Sequence, residues 1–274
     1  MKRFFALFAA LTLFCTGISA QTAACRTETG IAYRDAAGDG YVDSLCRLDI
    51  CWPADRKGFP TVVWFHGGGL TGGRREIPKA LCGKGFAVVG VDYRLAPRVK
   101  VADCVADAAA AAAWVVKNIA SYGGDPRLIF IAGHSAGGYL TSMIGLDKRW
   151  MAPYGIDPDT AFAALIPYSG QVVTHFARRR EMGVPDTQVV VDDMAPLNHV
   201  RPDCPPVLIL SGDRELEMLG RYEENAYFWR MMRVAGHPDV RICEFDGFDH
   251  GNMPQAGHYV AVRYIRDRVK KLER

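Results

Sequence analysis

Short apolar runs alternate with helical patterns along most of the chain. Residues 45–52 (LCRLDICW) alternate as a half-buried strand does, and after a turn over 53–60 the run Thr61-Val-Val-Trp-Phe65 leads into HGGGL. Residues 86–92 (FAVVGVD) are apolar almost throughout, the pattern of a strand buried on both faces. The alanine-rich stretch 101–120 predicts a long helix, stopped by Gly123-Gly-Asp-Pro126. A further buried strand, 128–132, runs directly into GHSAGG and a helical pattern over 136–146. Beyond it the chain predicts strands at 161–168, 206–210 and 240–245, with helices at 222–234 and 260–272. Strands and helices in alternation imply an α/β fold, a mostly parallel sheet covered on both faces. Residues 171–200 break the rhythm and read as an insertion or small cap over the C-terminal edge of the sheet.

No repeat, low-complexity linker or long charge block divides the 274 residues, of which 49% are hydrophobic, so 21–274 read as a single domain. The N-terminus stands apart. Met1-Lys-Arg, an apolar stretch over 4–14 and the small residues Gly17-Ile-Ser-Ala20 form the pattern of a signal peptide over 1–20, too short for a transmembrane helix. The expectation is export to the periplasm or beyond, with a mature chain from Gln21. Acylation of Cys25 as a lipoprotein is the weaker reading, because no leucine precedes the small pair. Loss of Lys2 and Arg3 would take the net charge from +3 to +1, which does not recommend nucleic acid as a partner. Of eight cysteines Cys15 lies in the leader; the remaining seven have no CxxC spacing and no histidine cluster, so a zinc site is not expected and many should be small buried hydrophobes.

Gly133-His-Ser-Ala-Gly137 falls between a predicted strand and a predicted helix, the context in which G-x-S-x-G makes a nucleophile elbow. Glycines flank a turn too sharp for side chains, Ser135 is presented above the strand end, and helix amides behind it favour developing negative charge. His66-Gly-Gly-Gly69 follows an earlier strand and leaves backbone N–H groups unobstructed. The amides of Gly68, Gly69 and Ala136 are thus the expected oxyanion donors. His66 should orient this loop, and the elbow should turn His134 elsewhere. The base must be chosen among seven histidines. His250, in a loop after the last strand, fits the chain order serine, acid, histidine; His237 precedes a strand, His258 sits near the last helix, and His175 and His199 come before the acid.

HGGGL, the segment Gly90-Val-Asp-Tyr-Arg-Leu-Ala-Pro97, GHSAGG and the late Asp-His-Gly together resemble the α/β-hydrolase fold esterases and lipases related to hormone-sensitive lipase. The chain departs from that group at His134 and Arg98, where Asp and Glu are usual, and offers little N-terminal sequence for a cap. It looks more like exported bacterial carboxylesterases with a reduced cap. The resemblance implies that Asp92 and Arg94 brace the oxyanion loop. It also implies a triad acid three residues after the glycine that ends a strand, which in SGDRELE is Glu215. Asp213 is the alternative, otherwise a turn residue, and Glu217 is read as facing solvent.

The expected activity is hydrolysis of small acyl esters, acetyl or feruloyl esters on carbohydrate among them, through an acyl-enzyme and without metal or cofactor. The competing readings are an amidase or arylformamidase on the same residues, and a noncatalytic binding module. Arg178-Arg-Arg180 is read as a solvated face in preference to an anion site, and Trp150, Met151, Tyr154 and Tyr168 as packing in preference to an acyl pocket. Oligomeric state is open.

Overall fold

The computed structural model describes residues 25–273; the expected leader and its cleavage site lie outside the described residues. Eight strands form one sheet in the order β1-β2-β4-β3-β5-β6-β7-β8. The chain runs through β1 (Cys25–Ala32), α1 (Gly40–Leu45), β2 (Arg47–Pro53), β3 (Phe59–Phe65), β4 (Ala87–Val91), α2 (Val101–Asn118), β5 (Gly124–His134) and α3 (Ala136–Leu146). It continues with α4 (Pro158–Ala161), β6 (Phe162–Tyr168), α5 (Phe176–Glu181), β7 (Val207–Gly212), α6 (Arg221–Val234), β8 (Val240–Phe245) and α7 (Met253–Leu272). Strand β2 is antiparallel to both its neighbours, and β3 to β8 are parallel.

Alternation along the central strands feeds two cores. Val63 and Phe65 of β3, Ile129 and Ile131 of β5, and Val207 and Ile209 of β7 point to the face covered by α2, α3 and α6, where Val105, Leu140 and Phe228 pack. Val62, Trp64, Phe130, Ala132, Leu208 and Leu210 point to the other face, against Ile265 of α7 and Leu81. Strands sandwiched this way must be apolar on both sides, which is why their sequences read as continuous runs. Four of the cysteines (46, 51, 104 and 204) are buried, and burial pushes the Cys104 and Cys204 thiols up to about 12.

Several elements differ from the expectation. Strand β1 is an edge strand with an exposed, largely polar sequence (CRTETGIA), so it carries no apolar alternation to detect. Helix α1, a short turn capped by Asp39, is likewise too brief to show a period. Helix α7 begins seven residues earlier than its pattern suggests, with Pro254 in its first turn, and His258 lies inside it, buried and 3.3 Å from the Tyr168 hydroxyl. The segment 171–200 links β6 to β7 and is tied to the helical layer: Val101 N–H donates to Glu181 Oε1 (2.6 Å) and the Tyr139 hydroxyl to the Met194 carbonyl (2.9 Å). Among the described residues no helix is long and apolar enough to cross a membrane.

A buried charge cluster holds α2 to the segment after β4. Asp107, fully buried, accepts from Arg94 Nε (2.7 Å) and Nη2 (2.9 Å) and is also paired with Arg34. Removing one partner of such a cluster strands the others without compensation. Asp107→Ala is therefore expected to cost about 3 kcal/mol, lowering Tm by about 6–12 °C; a thermal melt unchanged from the parent would show that the cluster contributes nothing.

Candidate active site

All the expected functional groups sit at the C-terminal edge of the parallel strands, where loops after β3, β5, β7 and β8 converge. Ser135, between β5 and α3, has φ 56° and ψ −113°, a conformation that non-glycine residues rarely adopt. It persists because its surroundings over-determine it. The Ser135 N–H donates to the Tyr168 carbonyl at 2.8 Å, and α3 lies so close to β3 that a Cβ on Gly137 would come within 2.0 Å of the Phe65 carbonyl oxygen. The G-x-S-x-G spacing is thus a packing requirement.

The glycine loop after β3 runs alongside: a Cβ on Gly67 would lie 3.4 Å from Ser135 Cβ. Gly68 has φ 110° and its own carbonyl accepts from Thr71 (3.1 Å) and Gly72 (3.0 Å), folding the loop back on itself. Among the described residues the N–H groups of Gly68 and Gly69 meet no protein acceptor. The Ala136 N–H, at the first position of α3, has no intrahelical acceptor either. The loop is braced from below. His66 Nδ1–H donates to the Gly67 carbonyl (2.6 Å), its ring stacks on Tyr93 at 4.4 Å, and its Nε2 is 3.5 Å from Asp92 Oδ1. Asp92 is in turn bound to the backbone and guanidinium of Arg75. Arg94 takes no part in this brace, because its guanidinium is committed to Asp107 on α2, a correction to the role implied by resemblance.

His250, in the loop after β8, places Nε2 2.9 Å from Ser135 Oγ. Its Nδ1 meets neither Glu215 nor Asp213. The partner is Glu217, which has 6% exposure and binds Nδ1 through Oε1 in a short contact. Asp213 instead closes the turn, accepting from the N–H groups of Gly247 (2.8 Å) and Glu215 (2.9 Å), and Glu215 projects into solvent. The Glu217 N–H donates to the Asp213 carbonyl (2.7 Å), so the chain makes one helical turn after β7 and brings residue 217 back over the sheet edge. Counting three residues from Gly212 fails because the loop is helical, and the only sequence cue was the turn-forming Asp213 itself.

Glu217 is saturated with donors. Oε1 also takes Met218 N–H (3.0 Å), and Oε2 takes the Ser169 hydroxyl (2.7 Å) and Gly212 N–H (3.2 Å). Burial pushes its carboxyl up, but the bond and charge of His250, with Ser169 and the Met218 amide, outweigh burial and hold it at about 2. The sign follows: a depressed carboxyl stabilises the fold above the ordinary carboxylate range, a contribution lost progressively as pH falls from that range through about 2. His134, next to the nucleophile, turns away from it and donates Nε2–H to the His250 carbonyl at 2.8 Å.

The other histidines are structural. His237 binds the Cys204 carbonyl (3.0 Å), His199 the Asp193 carbonyl (2.8 Å), and His175 caps α5 through its ring nitrogen, burial pushing it down to about 3. The three arginines of α5 are also spent internally. Arg178 pairs with Glu181, Arg180 with Asp186, and buried Arg179 binds the carbonyls of Asp186 and Gln188. Met151 and Tyr168 are buried core residues, with Trp150 and Tyr154 packed partly buried against the core.

The chain is similar to known proteins in sequence and in fold. The BD-FAE family profile matches residues 48–164. The chain is 32% identical over 241 residues to the probable carboxylic ester hydrolase LipM of Mycobacterium tuberculosis, covering 76% of this chain and 55% of that protein. To esterase LipC of the same organism it is 27% identical, covering 77% and 58%. It thus spans about half the length of the curated relatives it matches. Esterase 2 of Thermogutta terrifontis, solved phosphoramylated by tabun, superposes with a TM-score of 0.70 at 26% identity, covering 88% of this chain and 94% of that one. The same esterase has been solved with propionate and with butyrate bound. A truncated carbohydrate esterase from gut microbiota shares the fold at TM-score 0.73 and 20% identity, covering 91% and 98%. The chain has the α/β-hydrolase fold of these esterases.

The acid assignment is open to direct measurement. Glu217→Gln is expected to lower kcat for a small activated ester by about 10³–10⁴-fold, whereas Glu215→Gln leaves it unchanged. Equal losses in the two variants, or a loss in Glu215→Gln alone, would return the acid to the exposed position.

Proposed function

We propose that the protein is a serine carboxylesterase acting on small acyl esters through an acyl-enzyme. The observation that carries this reading is the continuous hydrogen-bonded line from Ser135 Oγ through both ring nitrogens of His250 to Glu217, set beside the amides of Gly68, Gly69 and Ala136. In the first step His250 Nε2 takes the proton of Ser135 as Oγ attacks the ester carbonyl, and Glu217 stabilises the imidazolium. The oxyanion that forms is met by backbone donors already in place, with no reorganisation at the moment of reaction. His250 returns the proton to the leaving alcohol. Water, deprotonated by the same nitrogen, then releases the acid from Ser135. No step calls on a metal or organic cofactor.

A short acyl group is the favoured substrate class, supported by the related Thermogutta esterase having been solved with propionate and butyrate. Acetyl esters of carbohydrate alcohols are the natural substrates proposed, feruloyl esters being the alternative. Export after loss of residues 1–20 belongs to the same proposal and rests on the basic, apolar and small-residue succession at the N-terminus.

Two measurements test these statements. In a panel of acetyl, butyryl, octanoyl and feruloyl esters with acetylated xylan, acid release is expected to be fastest for acetyl and butyryl and absent in Ser135→Ala. Normal turnover by that variant would sink the mechanism. N-terminal sequencing of the protein recovered outside the cytoplasm is expected to begin at Gln21, and an intact Met1 in that fraction would count against cleavage.

A further inference from the structure

Ser169 immediately follows β6 and is completely buried, yet it has φ 46°, a left-handed conformation that is strained for any residue with a side chain. Its backbone is pinned on both sides. The N–H donates to the Leu210 carbonyl (2.6 Å), and the carbonyl accepts from Nη1 of Arg221 (2.6 Å), itself a buried residue of α6. The flanking residues clamp the nucleophile elbow: the Tyr168 carbonyl holds the Ser135 N–H, and Gly170 is pressed against Gly138 so closely that a Cβ on Gly138 would lie 2.8 Å from Gly170 Cα. This strained residue aims its hydroxyl at the junction of acid and base. Oγ donates to Glu217 Oε2 at 2.7 Å and lies 3.0 Å from His250 Nδ1.

We propose that Ser169 is a positioning residue of the proton relay, which fixes Glu217 and selects the tautomer of His250 that leaves Nε2 free to act as base. The proton count requires it. A hydroxyl has one hydrogen, and here that hydrogen belongs to Glu217, which can only accept. The lone pairs of Ser169 are then what His250 Nδ1 faces, beside the Glu217 carboxylate. With the hydrogen on Nδ1 both contacts are favourable. With the hydrogen on Nε2, the Nδ1 lone pair would oppose a carboxylate oxygen and a hydroxyl oxygen at once. The same arrangement gives the imidazolium formed during attack a second acceptor for its Nδ1–H, in a buried site where such bonds are strong. The inference rests on the esterase reading for the identity of Ser135 and His250, and it adds a residue that the chain's catalytic motifs do not contain.

The test separates hydroxyl from backbone. Ser169→Ala keeps the strain and removes the hydroxyl; Ser169→Gly removes both and suits the left-handed backbone, so it stays folded if the alanine variant does not. Two rates are read in each: phosphonylation of Ser135 by a fluorophosphonate, which needs only the serine and its base, and kcat against KM for p-nitrophenyl acetate. Both variants are expected to lose about 10- to 100-fold in kcat and in phosphonylation rate with KM little changed, the worth of a hydrogen bond to a charged group. In a Glu217→Gln background, removing the hydroxyl should cost little more, because Ser169 acts through that carboxylate. Wild-type rates in Ser169→Gly, or a loss that multiplies undiminished with Glu217→Gln, would overturn the proposal. A wild-type protein that is phosphonylated but hydrolyses no ester would overturn the esterase reading alone, with Ser169 still judged by its phosphonylation rates.

Discussion

The closeness of α3 to the sheet is the constraint on which the rest of the site depends. A helix seated with Gly137 against the Phe65 carbonyl forces the chain through a turn that only a strained Ser135 completes, and the same contact brings the glycine loop after β3 alongside that serine. Ser135 and the glycine loop beside it are thereby set by one packing interface and share its rigidity. Strain of this kind persists only where neighbours leave no alternative. Here they are the Tyr168 carbonyl below the Ser135 amide and the apolar strands on either side of β5, buried along nearly all their length. A second strained residue, Ser169, stands one strand over, so the two non-glycine outliers nearest the relay both bear hydroxyls directed at His250.

Electrostatics complete what packing begins. Two carboxylates brace opposite sides of the site, each with its own cation or donor set. Asp92 holds Arg75 and lies beside His66 under the oxyanion loop, and Glu217 holds His250 and collects three further donors. A buried carboxylate without such partners would protonate and cease to support an imidazolium. Its donor set keeps Glu217 ionised at neutral pH. Arg221 adds a buried cation near Glu217 without a direct bond to it, reaching the relay through the Ser169 carbonyl.

What the sequence made legible follows from the same physics. The central strands announce themselves because a parallel sheet covered on both sides admits only apolar residues. The two glycine motifs were legible because close backbone approach is a demand that glycine alone meets. Strand β1 was not, since an edge strand facing solvent is under neither constraint. The acid was misplaced for a related reason. Register along a strand is fixed by alternation, but beyond the turn-forming Asp213 nothing in SGDRELE states whether the chain leaves β7 extended or helical, and a single Glu217-to-Asp213 backbone bond shifts the inward-facing carboxylate by two residues. Ser169 left no signal either, for its role depends on a φ value and on two groups far away in sequence.

The departure at His134 has a physical meaning in this geometry. Where aspartate is usual before the nucleophile, this chain needs a donor, because the group facing position 134 is the His250 carbonyl, which can only accept. A neutral imidazole supplies that donor; an ionised carboxylate would repel the carbonyl. Burial and the neighbouring His250, 4.8 Å away ring centre to ring centre, together push His134 down to about 4, so it stays uncharged at neutral pH. The buried His134 ring ties the His250 loop to the turn at Ser135, and the His250 ring bonds Glu217.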